Sequence, residues 1–373
     1  MYTKRPPLGW NSWNTFGNDI SEELLMQTAD AIVDKGLKDA GYEYVVIDDC
    51  WSLRERDENG DIVTDPEKFP HGMKYLADYI HSKGLKFGMY SCAGVKTCAG
   101  CPSSYHNEFR DAKLFASFGV DFLKYDFCNV PQGSNGPLLY HTMGLALKES
   151  GRDILFSACN WGSDHVETWI RSCGAGMYRS TGDINDNFSS VRDIALSQVD
   201  KLAYSGIGCY NDIDMLIVGM YNRGNVKNGG CTDVDYKTHF AVWSVFGSPL
   251  MIGCDVRCIN EVSLNLLKNK DLLRINQDEE CRTAFVCGDN GNKGLTFFRH
   301  LSDNEYALMF VNFADEEAEL SLDLTNIGLW DGCGHGLEGR DVFTGESITI
   351  ERTRTEKLAA HDSRVFICRT VSL

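Results

Sequence analysis

The chain has 373 residues, 43% hydrophobic and 24% charged, with a formal net charge of −17. That composition is ordinary for a globular protein and excludes global disorder. The acidic balance excludes sequence-independent nucleic-acid binding, and the lack of any run of about 20 apolar residues excludes a helical membrane span. The opening stretch MYTKRPPLGW has no basic-then-apolar secretory layout, so the expected compartment is the cytoplasm, or the exterior if a leader was removed before this numbering begins.

From Leu8 to about Gln277, short apolar runs alternate with amphipathic stretches. Strands are predicted at 8–10, 44–48, 85–91, 120–126, 154–159, 176–181, 207–210 and 249–253. Most are continuous apolar runs, as in parallel strands covered on both faces. A helix opens at Ser21, with an acidic first turn, and stops near Gly36. Further helices are predicted at 75–82, 108–118, 233–246 and 261–274. Strand and helix alternating about eight times is the pattern of a (β/α)8 TIM barrel. A doubly wound sheet is the alternative, but the Gly-rich phosphate loop it would want is missing. After Cys281 the texture changes to short alternating strands at 294–299, 305–313, 319–324, 339–343, 346–350 and 365–369. These predict a C-terminal antiparallel β-sandwich domain. The expected division is therefore a catalytic barrel at 1–280 and a sandwich at 281–373.

Active sites of such barrels lie at the C-terminal strand ends. There the sequence places Trp10 and Trp13, Asp48-Asp49, Tyr90, Lys124 and Asp126, Asn160-Trp161, Arg179 and Asp183, and Asp212 and Asp214. Acids with aromatic walls suit a neutral polyhydroxylated ligand, because carboxylates accept sugar hydroxyls and indoles pack on pyranose C–H faces. Two of the acids suggest glycoside hydrolysis. Lys124 lies two residues before Asp126, hence on the same strand face, and is expected to keep Asp126 ionised as nucleophile. Asp183 is the candidate acid, its pKa raised by the nearby charge of Asp126. The histidines show no metal spacing. The 15 cysteines include Cys98 and Cys101 in a CxxC. A second zinc-ligand pair is lacking, which leaves a Cys98–Cys128 disulfide or plain buried thiols.

The stretches LGWNSWNTFG, YVVIDDCW, KFGMYSCAGVKTCAG, DFLKYDFCN, YRSTGDI, NDIDML and FGSPLMIGCDVR stand in order across the first 275 or so residues. With the β-rich tail, they make the chain resemble the α-galactosidases of glycoside hydrolase family 27, the melibiase type. The resemblance implies a (β/α)8 barrel followed by a β-sandwich. It also implies retaining hydrolysis of terminal α-D-galactosyl groups through a covalent galactosyl-aspartate. Asp126 matches the nucleophile and Asp183 the acid/base. Asp48 and Asp49 match the pair gripping O4 and O6, Lys124 the group on O3 and O4, and Arg179 the contact to O2. Trp10 matches the aromatic floor, Asp214 and Met215 the closing loop, and Asn160 the position facing the 2-substituent, with Trp161 a further substrate-binding candidate. No metal or organic cofactor is implied. Cys98 and Cys128 match a disulfide near the site, with Cys128 lining it. The two catalytic carboxylates of a retaining enzyme are expected about 5–5.5 Å apart.

Departures from the family pattern are Asn18, which leaves Cys50 without its usual partner, and Asn160 in place of Glu. Ile213 in place of Pro and Tyr210 in place of Trp also depart from it. The expected partner is a galactoside, not nucleic acid or membrane, and homo-oligomerisation stays open. The competing readings are an α-N-acetylgalactosaminidase, a β-L-arabinopyranosidase, a Schiff-base lyase using Lys124, and a non-catalytic galactose-binding protein.

Overall fold

The computed structural model describes residues 3–291, 294–329, 332 and 334–373. Eight parallel strands follow one another round a curled sheet: β1 (Leu8–Asn11), β2 (Tyr44–Val46), β3 (Lys86–Cys92), β4 (Phe122–Asp126), β5 (Leu155–Cys159), β6 (Met177–Arg179), β7 (Tyr210–Asp212) and β8 (Leu250–Ile252). β8 pairs with β1, Leu8 lying opposite Leu250. The ring closes just past β7, where Leu216 makes a parallel bridge to Ile252. The barrel predicted from the sequence is thus the observed fold. Among the described residues no helix is long and apolar enough to cross a membrane.

Register carries the period of two from strand to strand. Trp10 pairs with Val45 and Val45 with Phe87, and this set faces outward under the helices. Tyr44, Val46, Phe122, Leu155, Met177 and Met251 form a separate cluster that fills the barrel interior. Whatever follows the inward set at the strand ends is therefore aimed into the mouth.

Helix limits follow local chemistry. Ser21 Oγ accepts the Leu24 N–H at 3.2 Å and opens Glu22–Asp34. Helices Glu108–Phe118 and Asp233–Phe246 have the bounds read from the sequence, the second opened by a Thr232/Asp235 capping box. The single helix predicted at 261–274 is instead two, Glu261–Leu267 and Lys270–Asn276. Asn269 breaks it, its Oδ1 accepting the N–H groups of Asp271 and Leu272, each at 3.0 Å. The seventh strand falls later than predicted, because Gly206–Cys209 is a turn with Gly208 at φ 88°. Helices Gly136–Glu149 and Phe188–Ser197 and the hairpin Ser52–Arg56/Ile62–Thr64 had no counterpart in the prediction.

The C-terminal part packs a six-stranded antiparallel sheet against the pair Ala318–Asp323/Thr353–Leu358. Its core includes Phe298, Leu308, Phe310, Leu320 and Phe366. It docks on helix Asp233–Phe246. Arg299, 1% exposed, donates Nη1 to the carbonyls of Ser244 (3.1 Å) and Val245 (3.0 Å) in the last helical turn, where the helix dipole favours a cation.

His239 on that helix is wholly buried, and its Nε2 accepts the Ile217 N–H at 3.2 Å. Burial holds its pKa down at about 3. The unfolded chain takes up this proton near pH 6.5, but the native state refuses it until about pH 3. Stability present above pH 6.5 is therefore lost as pH falls toward 3. His239→Gln removes this loss, so its thermal midpoint falls less between pH 7 and pH 4 than that of the parent. Parallel curves for the two proteins contradict the assignment.

Candidate active site

The mouth of the barrel holds one pocket of about 490 Å³. Past the end of β2 come Asp48 and Asp49, each 2% exposed. Asp48 Oδ2 accepts from Asn11 Nδ2 on β1 and from Lys124 Nζ on β4, each at 2.8 Å. Asp49 Oδ1 accepts the Cys50 N–H at 2.7 Å, and its Oδ2 accepts the Ala99 N–H at 2.9 Å. Asp126 ends β4. Its Oδ1 accepts the Phe127 N–H (2.9 Å) and its Oδ2 the Tyr90 hydroxyl (3.0 Å).

Arg179 ends β6 and binds Asp214 Oδ1 through Nη1 (2.9 Å) and Asp183 Oδ1 through Nη2 (3.0 Å). Asp214 has left-handed backbone (φ 85°) and is fixed by the N–H groups of Met215 and Ile184, each at 2.7 Å. Trp161 has the same unusual backbone (φ 58°) and stands half exposed at the rim. The next residue must be glycine. A Cβ on Gly162 (φ 88°) would stand 2.6 Å from the Ser180 carbonyl.

Asp48, Asp49, Lys124, Asp126, Arg179 and Asp183 all line this pocket. Cys98, Trp161, Asp214 and Met215 line it too. Three expected residues do not. Trp10 is fully buried on the outward face of β1, and its indole N–H donates to the Cys254 carbonyl at 2.8 Å. Trp13 takes the pocket position instead, because Asn11 Oδ1 accepts the Trp13 N–H (2.9 Å) in the turn after β1. Asn160 is buried behind the wall, donating to the Ser163 carbonyl at 2.9 Å, with its Oδ1 unpartnered among the described residues. Cys128 is bonded to Cys98. It is Cys98 that faces the pocket, its sulfur 3.5 Å from Asp126 Oδ2. Tyr90 was named at a strand end but given no role. Its register with Lys124 across β3 and β4 puts it on the inward face.

The electrostatics correct two expectations. Lys124 makes its ion pair with Asp48, not with Asp126. Burial pulls the Lys124 pKa down, but Asp48 and the other negative groups outweigh it and hold the ammonium above its usual range. A cationic Lys124 is no Schiff-base nucleophile. Asp126 is pushed up by burial. Lys124, the Phe127 N–H and the Tyr90 hydroxyl recover only part of that, so its carboxyl sits above the ordinary range. Asp183 goes the other way. Burial pushes it up, but Arg179 and then Lys124 outweigh this, so it lies below its ordinary value. The charge that sets Asp183 is the guanidinium in direct contact, not Asp126 as expected. Deeper in, burial raises Asp212 to about 6 against the pull of Arg179.

A barrel mouth with several carboxylates, two fixed cations and indole walls is the equipment of a glycoside hydrolase. Residues 5–278 match the family described as "Alpha galactosidase A", and residues 295–368 match the "Alpha galactosidase C-terminal beta sandwich domain". An α-galactosidase of Oryza sativa subsp. japonica is 39% identical over 366 residues, covering 98% of this chain and 84% of that one. The crystal structure of α-galactosidase I from Mortierella vinacea has a TM-score of 0.91 at 33% identity, covering 98% of this chain and 97% of that one. An α-galactosidase from Saccharomyces cerevisiae, solved with raffinose, has a TM-score of 0.90 at 28% identity, covering 99% and 98%. The chain belongs to the α-galactosidase (melibiase) family of glycoside hydrolases.

Tyr90→Phe removes a hydrogen bond that favours ionised Asp126. The Asp126 pKa rises, and the acidic limb of the kcat/KM profile moves to higher pH. An unmoved acidic limb contradicts the assignment of that limb to Asp126.

Proposed function

We propose that this protein is a retaining exo-α-galactosidase in which Asp126 is the nucleophile and Asp183 the acid/base. The carrying observation is the contrast between the two carboxylates in one pocket. Asp126 is 5% exposed and accepts two hydrogen bonds, so its lone pairs are oriented and desolvated for attack. The Asp183 side chain is 69% exposed at the rim, where a proton can be exchanged with water and an aglycone can leave. Relatives that are α-galactosidases support galactose as the sugar.

Asp126 attacks the anomeric carbon while Asp183 donates its proton to the glycosidic oxygen. The resulting galactosyl-aspartate is opened by water, which gives its proton back to Asp183. Arg179 favours the ionised form of Asp183. A bound sugar hydroxyl that takes the Arg179 N–H groups, and an aglycone that displaces water from the rim, both raise the Asp183 pKa toward that of an acid. Lys124 and Asp48 form one rigid donor–acceptor pair for ring hydroxyls, and Asp49 a second acceptor. Asn160 lies behind the pocket wall and does not line the sugar pocket.

Asp126→Ala loses turnover by several decades, and azide restores it with β-galactosyl azide as product. Asp183→Ala loses about 10²–10⁴-fold on poor leaving groups and much less on nitrophenyl substrates, and azide then gives the α-azide. Exchange of the two azide anomers between the variants reverses the roles. On nitrophenyl glycosides the parent enzyme prefers the α-galactoside. Preference for the α-N-acetylgalactosaminide or the β-L-arabinopyranoside overturns the choice of sugar.

A further inference from the structure

At Asp49, which itself lines the sugar pocket, three donor atoms meet. The Asp49 carboxylate, Cys50 Sγ and Cys101 Sγ all lie within 4.8 Å of one another, and all three residues are buried. Two elements bring them together. Cys50 follows the acidic pair past β2 and has left-handed backbone, φ 72°. Cys101 closes the tight loop 97–101. There the Thr97 N–H donates to the Cys101 carbonyl, and the Cys101 N–H to Thr97 Oγ1, each at 2.9 Å. Between them the Ala99 N–H holds Asp49 Oδ2 at 2.9 Å. The same loop already carries the Cys98–Cys128 disulfide, with Cys98 exposed. Cys50 and Cys101 are both free thiols, and neither lines the sugar pocket.

We propose that Cys50 and Cys101 are a redox-active thiol pair that closes to a second disulfide under peroxide and locks loop 97–101 against Asp49. The hydrogen bond between the two sulfurs outweighs burial and the Asp49 charge at Cys101 and holds that thiol down at about 7. Cys101 is therefore the sulfur of the pair more readily ionised to the reactive thiolate. Its burial matches a small oxidant, hydrogen peroxide. The Cys101 thiolate attacks one peroxide oxygen: an S–O bond forms, the O–O bond breaks, and the leaving hydroxide takes a proton to become water. The Cys50 sulfur then attacks the Cys101 sulfenic sulfur: the S–S bond forms, the S–O bond breaks, and a second water leaves with the Cys50 proton. Two thiols are oxidised by two electrons, and one peroxide is reduced to two waters. The new bond ties the end of β2 to the loop that orients Asp49.

The test is made on the purified enzyme before and after hydrogen peroxide. Free thiols are blocked with iodoacetamide in denaturant without reductant, and the digest is read by mass spectrometry. A peptide joining Cys50 to Cys101 appears after peroxide and disappears with dithiothreitol. The thermal midpoint of the native enzyme rises by a few degrees on oxidation, because the link constrains the unfolded chain. Cys101→Ser and Cys50→Ser each show neither effect and keep the Cys98–Cys128 link. The proposal is overturned if Cys50 and Cys101 are both alkylated after peroxide, if Cys50 is joined to another cysteine, or if the midpoint still rises in either variant. None of these readouts depends on the sugar or on the roles of Asp126 and Asp183.

Discussion

Six carboxylates, of Asp48, Asp49, Asp126, Asp183, Asp212 and Asp214, share the barrel mouth with two cations, Lys124 and Arg179. Ionising them all in a place with so little water is unfavourable, so the charges must be divided and ordered. Lys124 is committed to Asp48, and Arg179 to Asp214 and Asp183. Burial raises the pKa values of Asp49, Asp126 and Asp212, which have no cation in direct contact, and also that of Asp214 despite its contact with Arg179. Chemistry becomes available because this division leaves one buried carboxylate bound only by weak neutral donors. Asp183, the acid/base of the proposed pair, is left at the exposed rim, gripped by a guanidinium.

The barrel enforces that arrangement through register. Asn11, Asp48, the Lys124/Asp126 pair and Arg179 come from four strands or their ends, yet period two and parallel pairing aim them all into one mouth. Rigid neighbours then fix the side chains. The Phe127 N–H orients Asp126, and the Ile184 and Met215 N–H groups orient Asp214. Left-handed backbone at Cys50, Trp161 and Asp214 shows where the chain is bent to reach these positions. Strain of this kind persists only where surrounding contacts over-determine it. The sandwich contributes from below. Its Arg299 closes the last turn of helix Asp233–Phe246, whose Trp243 indole N–H holds the Asp214 carbonyl at 2.7 Å.

Alternation of apolar runs and amphipathic stretches made the barrel and the sandwich legible, and the strand-end rule made most of the mouth legible too. Trp10 was misjudged because adjacent indoles in WNSW cannot be told apart until strand parity is known. Parity puts Trp10 on the Val45 side and leaves Trp13 for the pocket. Lys124 does pull Asp126 toward its charged form, as strand parity implies. But its direct ion pair is with Asp48, which reaches the ammonium from the end of another strand and is invisible to parity along β4. The proton balance of Asp183 was misjudged for the same reason, since the direct Arg179 contact depends on the path of the loop after β6. The break at Asn269 was readable in principle, because Asn prefers a helix cap to a helix interior. The approach of Cys101 to Cys50 was not readable, since 50 intervening residues separate the two loops.

The proposed mechanism makes two displacements at one carbon, the first by Asp126. Proton NMR of the sugar first released from an α-galactoside, taken before mutarotation, reads the outcome. Retention, seen as α-galactopyranose appearing ahead of the β anomer, is the predicted result. Initial release of β-galactopyranose means a single displacement by water and contradicts it.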